Sequence, residues 1–460
     1  MKTETRLSFL LLLAVAALSA CSLFSPAQPA PAWQNLQAGD SLEEWVQRGG
    51  RARYEVVGGV IIGTTALATP NSFLCTKKTY GDFILELDFK VDPALNSGIQ
   101  IRSSSFPEYG KGRVHGYQVE IDPSHRAWTG GIYDEARRGW LHPLDANPKA
   151  RRAFRQGEWN RFRIEAIGPS MKTWINGVPA AHLVDDRTDR GFIALQVHSV
   201  GKDRTREGIQ VKWRNIRILT EDLEKHATPS PLPPVDMYNR LTTNEKKAGW
   251  KLLFDGKTSR GWRGAGLGHF PRGGWAIGNG VLTVLESGGK ESDHGGDIVT
   301  VDEYSRFDLC VDFRLTRGAN SGIKYFVDTG LNKGKGPAIG LEYQLLDDEN
   351  HPDAKKGSLE GSRTLASLYD LIKAENKHAR PIGRWNHARI LAKGKRVEHW
   401  LNGRKVLEYT RGSPGFRKLV AGSKYRKWPD FGELESGKIL LQDHGDRVSF
   451  RNIKIRVLKK

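Results

Sequence analysis

Apolar and polar residues alternate with a period of two along many short stretches of the chain, as expected for half-buried β-strands. The clearest stretches are FILELDFKV (83–91), GIQIR (98–102), YQVEID (117–122), FRIEAI (162–167) and IALQVH (193–198). Gly, Asn and Asp separate them, and Asn-Gly pairs at 176–177 and 402–403 are strong signals for hairpin turns. About ten such strands in roughly 200 residues predict an all-β fold, a two-sheet sandwich or jelly roll.

This pattern occurs twice in the chain. LDFKVDPALNSGIQIR (87–102) matches VDFRLTRGANSGIKYF (311–326) at an offset of 224 residues. YQVEID (117–122) aligns with YQLLDD (343–348), and IALQVH (193–198) aligns with ILLQDH (439–444). Such long, ordered self-similarity predicts two homologous domains, at 33–220 and 246–460, joined by a Pro-rich linker at 221–245.

Strand parity separates an apolar face from a polar face in three of these segments. The apolar positions, such as 117, 119 and 121, should face the core. The opposite positions are Gln100 and Arg102 in the first segment, Gln118, Glu120 and Asp122 in the second, and Gln196 and His198 in the third. A solvated strand face would also be polar, but Gln and His recur at matched positions in both halves. We therefore expect a sugar-binding groove.

The first 20 residues have the features of an export signal. A basic start with Lys2 and Arg6 precedes an apolar run at 9–17 that is too short to span a bilayer. LSAC (18–21) is typical of a bacterial lipoprotein signal, which would make Cys21 the lipidated N-terminus; an ordinary signal peptide with an incidental Cys is the alternative. Residues 21–32 predict a Pro/Ala tether. We expect an exported protein, lipid-anchored at the periplasmic face of the cell envelope.

The composition narrows the function classes further. The formal net charge is +19, but basic and acidic residues are interspersed, and no basic helix or nucleic-acid motif is present. We therefore expect a solvated basic surface and no nucleic-acid partner. Cys75 and Cys310 fall one in each half, and Cys310 aligns with Glu86. An exported protein could pair them, but two buried free thiols are the favoured interpretation.

Longer motifs connect the chain to a known family. They are NSGIQIRS, GYQVEIDPSHRAWTGGIYDEARRGWL and EWNRFRIEA in the first half, and LFDGKTSRGW, SLYDL, GRWNHARI, EHWLNG and LLQDHG in the second. Through them the chain resembles the 3-keto-disaccharide hydrolase domain family, in two tandem copies covering nearly all of residues 33–458. The resemblance implies two concanavalin A-like jelly rolls, export and action on oxidised sugars.

The chemistry of a 3-keto sugar defines the groups that such a site needs. The keto group acidifies the C2 proton; a base removes it, the C1 substituent leaves by β-elimination, and water adds to the enone. The enolate oxygen needs a donor or a metal, and the leaving group needs an acid. His198 or Glu120 is the predicted base, and Asp122 or Glu135 is the predicted orienting residue or acid.

Substrate contacts in the first half are predicted from two regions. The predicted residues are Gln100, Arg102, Gln118 and Gln196 on strands, and Tyr133 and Arg138 in the loop WTGGIYDEARRGWL (128–141). Arg102 and Gln118 would donate to the enolate and to hydroxyl groups, although the loop could equally be a packed Ω-loop with its own ion pairs. His198, Glu120 and Asp122 could instead bind a divalent metal, for which spacing alone is a weak indication.

The second half differs at several of these positions. Its predicted substrate-binding residues are Glu342, Gln344, Asp348, Gln442 and His444. The alignment pairs Glu120 with Leu346 and Arg102 with Phe326, so we expect the first half to be the better-equipped site. The halves could prefer different glycosides, or one could be catalytic while the other binds.

These observations predict an exported enzyme that cleaves 3-keto-glycosides or 3-keto-disaccharides. Its partners would be the oxidised sugar or glycoside and, through the N-terminal lipid, a membrane. The chemistry also implies an oxidoreductase that supplies the keto-sugar. The competing interpretation is a non-catalytic, tethered carbohydrate-binding protein, which would need the polar groove but no working base.

Overall fold

The computed structural model describes residues 32–288, 295–331, 338–428 and 430–459. The predicted signal segment, Cys21 and nearly all of the predicted tether lie outside the described residues. Within them the secondary structure is almost entirely β, arranged as two consecutive sandwiches. The all-β prediction of two tandem jelly-roll sandwiches is confirmed.

The first domain packs a nine-stranded sheet, sheet I, against a seven-stranded sheet, sheet II. Sheet I contains β1 (Gln34–Asn35), β3 (Arg53–Val57), β4 (Val60–Thr64), β6 (Phe83–Val91), β11 (Asn160–Ile167), β12 (Ser170–Ile175), β13 (Val178–Val184), β15 (Gln210–Leu219) and β16 (Val235–Asp236). Sheet II contains β2 (Trp45–Gly49), β5 (Ser72–Thr76), β7 (Ser97–Ser104), β8 (His115–Ile121), β9 (Ile132–Glu135), β10 (Gly139–His142) and β14 (Phe192–Val197). Its order is β10-β9-β8-β7-β14-β5-β2, which places the NSGI motif near the centre.

The second domain repeats the arrangement with sheets III and IV. Sheet III contains β17 (Trp250–Leu252), β19 (Trp275–Gly278), β20 (Val281–Val284), β22 (Phe307–Leu315), β25 (Asn386–Lys393), β26 (Arg396–Leu401), β27 (Arg404–Thr410) and β29 (Val448–Val457). Sheet IV contains β18 (Trp262–Gly264), β21 (Ile298–Thr300), β23 (Asn320–Asp328), β24 (Ile339–Leu346) and β28 (Lys438–Leu441), in the order β18-β21-β28-β23-β24.

The helices in the described residues are short. They are α1 (Pro148–Ala153), α2 (Leu223–His226), α3 (Thr243–Lys247) and α4 (Pro414–Ala421), with 3-10 turns at Arg204–Arg206, Pro352–Lys355 and Lys424–Lys427. None of these helices has the length and apolar content needed to span a lipid bilayer.

Alternating apolar side chains of facing sheets build one core in each domain. In the first domain, Leu85 and Leu87 of β6 pack in the same buried cluster as Ile99 of β7 and Val119 of β8. The second domain has an equivalent cluster between sheets III and IV. The opposite positions on β7 and β8 are consequently directed away from the core, where they can form a site. Cys75 and Cys310 are buried free thiols, as predicted.

The segment between the domains docks onto both of them. β16 extends sheet I, and the capping box of α3, from Thr242 to Glu245, also reaches the first domain through the Thr242 hydroxyl, which donates to Arg138 O at 2.7 Å. Across the seam, Arg451 of the second domain pairs with Asp186 at 2.5 Å. The pairing of β16 and the Thr242 hydrogen bond therefore hold the linker segment as part of the folded structure.

A bulge interrupts β7 at a position that matters for the site. Arg102 has a left-handed backbone with φ +46°, and the pairing of β7 with β8 shifts between Ile101 and Ser104. Phe326 has φ +51° at the equivalent point of β23. The extra residue resets the alternation of faces, so the side chain at 102 no longer shares a face with Gln100.

Gly191 makes this bulge sterically feasible. A Cβ atom built on Gly191 would lie 2.4 Å from Arg102 C and 2.5 Å from Ser103 N, both of which are backbone atoms. We expect Gly191→Ala to lower the free energy of unfolding by roughly 1–3 kcal/mol, as overpacking does elsewhere. Thermal denaturation would measure this, with Gly268→Ala as the control because its Cβ would meet nothing within 4 Å. Equal stability of both variants would contradict the steric argument.

Candidate active site

A chain of hydrogen-bonded amides on the outer face of sheet II ends at one buried carboxylate. Gln100 Nε2 donates to Gln118 Oε1 at 2.6 Å, and Gln118 Nε2 donates to Glu120 Oε2 at 2.8 Å. Asn96 Nδ2 donates to the other oxygen, Oε1, at 2.8 Å. The structure therefore brings together three of the predicted site residues, and adds Asn96, whose side chain does contact the site.

The glycine of the NSGI motif makes room for this chain. Gly98 lies opposite Glu120 in the pairing of β7 with β8. A Cβ atom on Gly98 would lie 2.5 Å from Gln118 Cδ, so the Gln118 side chain can cross this position only because no side chain is present there. In the second domain, Glu342 crosses Gly322 in the same way. The repeated Gly is thus a requirement of the site rather than of the fold.

Burial gives the Glu120 carboxyl a pKa that suits a base working near neutral pH. Only 4% of Glu120 is exposed, and burial raises its pKa from 4.5 to about 7. Hydrogen bonds from Asn96 and Gln118 oppose the rise, and Asp122 adds to it. A carboxyl group held by neutral amides in a buried site is the arrangement found for general bases.

Arg126 was not predicted from the sequence, yet it is the cation beside this carboxylate. Its Nε lies 2.7 Å from Asp122 Oδ2, and its Nη2 lies 3.6 Å from Glu120 Oε1. The guanidinium carbon sits 4.7 Å from the ring centre of Trp128 and 4.9 Å from that of Trp140, which holds it by cation–π contacts. Because 38% of the side chain remains exposed, the guanidinium beside Glu120 is accessible from solvent.

Asp122 serves this arginine rather than the groove itself. Burial raises the pKa of Asp122, but hydrogen bonds from Ser124, Arg126 and the Trp128 backbone outweigh that effect and lower the pKa below its ordinary value. Asp122 therefore stays ionised and orients Arg126.

Gln196 provides a polar group with no protein partner. It lies opposite Gly98 on β14 and is fully buried, and neither its amide nitrogen nor its amide oxygen has a hydrogen-bond partner in the described structure. Gln442, opposite Gly322 in the second domain, likewise leaves its amide oxygen unpaired. A buried amide without partners is costly, and a ligand hydroxyl would satisfy it.

Three further predicted residues of the first half lie at the edges of the groove. Tyr133 lies opposite Gln118 and places its ring 5.2 Å from that of Trp140, while Glu135 of the same strand pairs with Arg113 at 3.1 Å. His198 lies one residue beyond β14, half-exposed, with Nδ1 2.9 Å from Ser199 O. The structure thus gives Glu120, and not His198, the contacts expected of a base.

The predictions that Arg102 and Arg138 face the groove are wrong. Arg102 is fully buried on the other side of the strand; it donates to Gly81 O and Gly168 O, both at 2.8 Å, and pairs with Asp82 at 2.7 Å. The bulge described above is the physical reason. Arg138 is instead held by Asp134 and Asp185 at the seam between the domains.

The proposed metal ligands do not converge. Among the described residues, no group of three or more His, Cys, Asp or Glu side chains has an arrangement that could hold a metal ion. Asp122 accepts hydrogen bonds from Ser124 and Arg126 of its own loop, whereas His198 Nδ1 lies beside Ser199 O. The alternative role of His198, Glu120 and Asp122 as metal ligands therefore has no geometric support.

Strand register in the second domain corrects the sequence alignment. Gly322 lies opposite Gln344, and Lys324 lies opposite Glu342, just as Gly98 lies opposite Glu120 and Gln100 opposite Gln118. Gln344 thus occupies the place of Glu120, and Glu342 the place of Gln118; the alignment of Glu120 with Leu346 was wrong by two residues. The amide nitrogen of Gln344 can donate to Glu342 Oε1 at 3.1 Å. The Gln–Glu pair is retained with its order reversed.

Other residues of the second groove also differ from expectation. Asp348 accepts from the Leu365 backbone at 2.7 Å and from Lys377 at 2.6 Å, so it anchors a loop. Lys324 Nζ lies 3.9 Å from Asp297, and Lys424 Nζ lies 4.2 Å from the ring centre of Tyr369. His444 lies two residues past Gln442, with its ring 6.3 Å from that of His351. The second groove therefore keeps a carboxylate and cations, and the expectation that the first half is the better-equipped site stays a prediction.

Comparison with known proteins agrees with the repeat. Residues 32–219 and 249–456 each match the model of the 3-keto-α-glucoside-1,2-lyase-like domain. A 3-keto-disaccharide hydrolase from Bacteroides thetaiotaomicron is 39% identical over 230 residues, covering 46% of this chain and 79% of the relative.

Two solved structures from Parabacteroides distasonis, each described as a candidate glycosyl hydrolase, are similar to part of the chain. One is 36% identical with a TM-score of 0.43, covering 48% of this chain and 100% of its own. The other is 28% identical with a TM-score of 0.33, covering 45% of this chain and 99% of its own.

Glu120→Gln should stabilise the protein in alkaline solution. The pKa of Glu120 is 4.5 in the unfolded chain and about 7 in the folded protein. The protonated carboxyl therefore favours the folded state, and this contribution to stability, fully present below pH 4.5, is lost as the pH rises through 7. An amide cannot ionise, so the variant should gain on the order of 3 kcal/mol over the wild type at pH 8 and nothing at pH 4. Denaturant unfolding at both pH values tests this. A variant that is less stable than the wild type at pH 8 would contradict the raised pKa.

Substitution of Arg102 should lower the free energy of unfolding more than substitution of Arg126. Arg102→Met leaves buried carbonyl oxygens without a donor and should lower the unfolding free energy by roughly 3–5 kcal/mol. Arg126→Met removes a partly exposed guanidinium and should cost less than about 1 kcal/mol. Denaturant unfolding of both variants measures these losses. A larger loss for Arg126→Met than for Arg102→Met would contradict the buried position of Arg102.

Proposed function

The chain belongs to the 3-keto-α-glucoside-1,2-lyase-like domain family, and from this premise we propose that its first domain cleaves 3-keto-glycosides or 3-keto-disaccharides. Its relatives support a hydrolase acting on carbohydrates. We further propose the route: removal of the C2 proton, β-elimination of the C1 substituent and addition of water to the enone.

Glu120 is the base in this proposal, and its burial among amides is the observation that carries it. With a pKa of about 7, a substantial fraction of the carboxyl is ionised at neutral pH, and the ionised form is basic enough to accept a carbon-bound proton made acidic by the 3-keto group. Asn96 and Gln118 each donate to one carboxylate oxygen, which fixes the direction of the free lone pairs.

Arg126 stabilises the enolate oxygen that forms as the proton leaves. Its position between Trp128 and Trp140 holds the guanidinium in place before the reaction, so little reorganisation is needed. It takes over the role predicted for Arg102. Gln196 would bind a sugar hydroxyl with its unpaired amide.

Tyr133 is the proposed acid for the leaving group. Burial raises the pKa of its phenol, with further contributions from Glu135 and Glu120, so the phenol stays protonated and can donate. In the elimination, the C2–H proton passes to Glu120, the C1–O bond breaks, and the departing oxygen takes the Tyr133 proton. Water then adds to the enone: its oxygen bonds to C1, its proton passes to the Tyr133 phenolate, and Glu120 returns its proton to C2, so both residues are restored and the net change is hydrolysis.

Tethered carbohydrate binding without catalysis is the second candidate function. The unpaired amides of Gln196 and Gln442 favour it, because they would recognise hydroxyl groups whether or not a proton is transferred. Export and lipidation at Cys21 suit both functions and stay proposals from the sequence, as does an oxidoreductase that makes the keto-sugar.

Turnover of a 3-keto-glucoside and of its unoxidised parent would test the catalytic proposal. We expect only the keto form to react, with kcat/KM rising with pH through about 7 as Glu120 ionises. Glu120→Gln should lower kcat by roughly 100-fold or more, and His198→Ala by less than about tenfold.

The outcomes separate the candidate roles. Loss of activity in His198→Ala with activity retained in Glu120→Gln would reassign the base to His198. No turnover of either sugar by the wild type, together with measurable binding of the keto-glucoside, would leave the carbohydrate-binding function.

A further inference from the structure

One carboxylate pairs with two cations at the centre of the outer face of sheet I. Glu86 on β6 lies between Arg163 of β11 and Arg217 of β15 in the strand register. Arg163 Nη1 is 2.7 Å from Glu86 Oε1, and Arg217 Nη2 is 2.6 Å from Glu86 Oε2. Arg163 also pairs with Glu165 at 2.7 Å, so two carboxylates accompany the two cations at this position.

The second domain keeps the two cations but lacks the carboxylate. In sheet III, Cys310 of β22 lies between Arg389 of β25 and Lys454 of β29 in the same register. Burial raises the pKa of the Cys310 thiol, which is therefore neutral and cannot replace the charge of Glu86. Arg389 turns instead to Asp308 at 2.7 Å, and Lys454 turns to Glu245 of α3.

Cys310 lines a pocket of about 200 Å³ at the seam between the two domains. Six basic side chains surround it, namely Arg137, Arg138, Arg187, Arg389, Lys454 and Arg456. Four carboxylates pair with these six cations: Asp308 with both Arg389 and Arg456, Asp134 with both Arg137 and Arg138, Asp185 with Arg138 as well, and Glu245 with Lys454. Positive charge therefore exceeds negative charge inside a partly enclosed space, which is unfavourable without an anion.

Arg187 has no direct ion pair among the described residues. Its Nη1 lies 2.6 Å from Nδ1 of His387, and this imidazole nitrogen lies 2.6 Å from Asp312 Oδ1, so the carboxylate nearest to Arg187 lies across the imidazole. Burial lowers the pKa of His387 to about 3, and Arg187 contributes to that lowering, so His387 is neutral and adds no further charge.

We propose that this pocket binds an oxyanion (a carboxylate, sulfate or phosphate group) in the place that the Glu86 carboxylate takes in the first domain. The group would bridge Arg389 and Lys454 above Cys310 and would reach Arg187 of the first domain. Since the cations come from both domains, the anion would also strengthen the contact between them. The proposal does not depend on the reaction proposed for Glu120.

The rest of the pocket wall suits a sugar that carries the anionic group. Phe106, Tyr109 and Trp250 line it, and aromatic faces stack on sugar rings. A uronic acid and a free inorganic anion share the charged group but differ in these contacts, so affinity can distinguish them.

Thermal unfolding of the full chain with added anions tests the proposal. We compare sodium sulfate, phosphate, acetate and glucuronate with sodium chloride at equal ionic strength. At least one oxyanion at millimolar concentration should raise the unfolding midpoint by about 2 °C or more over chloride. Glucuronate acting at lower concentration than acetate indicates a sugar-borne anion, whereas sulfate or phosphate acting best indicates a free anion. An equal effect of all salts, chloride included, would overturn the proposal.

Cys310→Glu is the decisive variant because it restores the residue of the first domain. It should raise the midpoint without added anion and abolish the oxyanion-dependent shift, while Cys310→Gln, of similar size, should keep the shift. Arg187→Met at the pocket wall should weaken the response several-fold, and Glu120→Gln in the groove should leave it unchanged. A full anion response in both Cys310→Glu and Arg187→Met would place the anion elsewhere.

Discussion

The buried carboxylate of Glu120, held by neutral amides, is the interaction on which the first site depends. It can exist only because Gly98 lets Gln118 cross the strand and because Asn96 enters β7 with its amide directed at the same group. Burial raises the pKa to about 7, and hydrogen bonds from the amides limit this rise, so the carboxyl can still ionise near neutral pH. The cost of burying this group is the reason why we connect it with catalysis rather than with stability.

Duplication has kept the scaffold and rearranged the chemistry. Both domains place a Gly opposite a site residue and a Gln on the neighbouring strand, yet the carboxylate moves from the second polar position of β8 to the first of β24. Two residues along a strand correspond to about 6.8 Å. The two grooves therefore present their carboxylates to different parts of a bound sugar, and Lys324 lies opposite Glu342 at the positions where the first groove has Gln100 opposite Gln118.

The two domains also differ in how the basic side chains at the centre of sheets I and III are paired with carboxylates. On sheet I each central cation has Glu86 close by, whereas sheet III faces the other domain and has Cys310 at that position. Arg217 of sheet I keeps 40% of its side chain exposed, whereas Lys454 of sheet III keeps 10%, so solvent screens the charge less on sheet III. The absence of a carboxylate at position 310 therefore matters more on sheet III than it would on sheet I.

Much of this protein is determined locally and was readable from the sequence. Period-two alternation, Asn-Gly turns and the repeat identify the strands, the two sandwiches and the polar positions 100, 118, 120 and 196, because a strand directs its neighbouring side chains to opposite faces. The family follows from the motifs. Arg102 could not be placed this way, since a bulge with left-handed backbone at that residue reverses the alternation. The two-residue error in aligning β8 with β24 arose differently. Both strands contain a Tyr-Gln pair, and the sequence alignment matched these pairs rather than the residues at equivalent positions of the two sheets.

Only the tertiary structure decided which groups meet. Arg126 reaches Glu120 from a loop through stacking on Trp128 and Trp140, which no local pattern encodes. The acidity of Glu120 depends on how completely distant segments exclude water from it, and the charge excess at Cys310 depends on the docking of one domain against the other. Local sequence fixes dihedral angles and faces, whereas burial and electrostatic balance are properties of segments far apart in the chain.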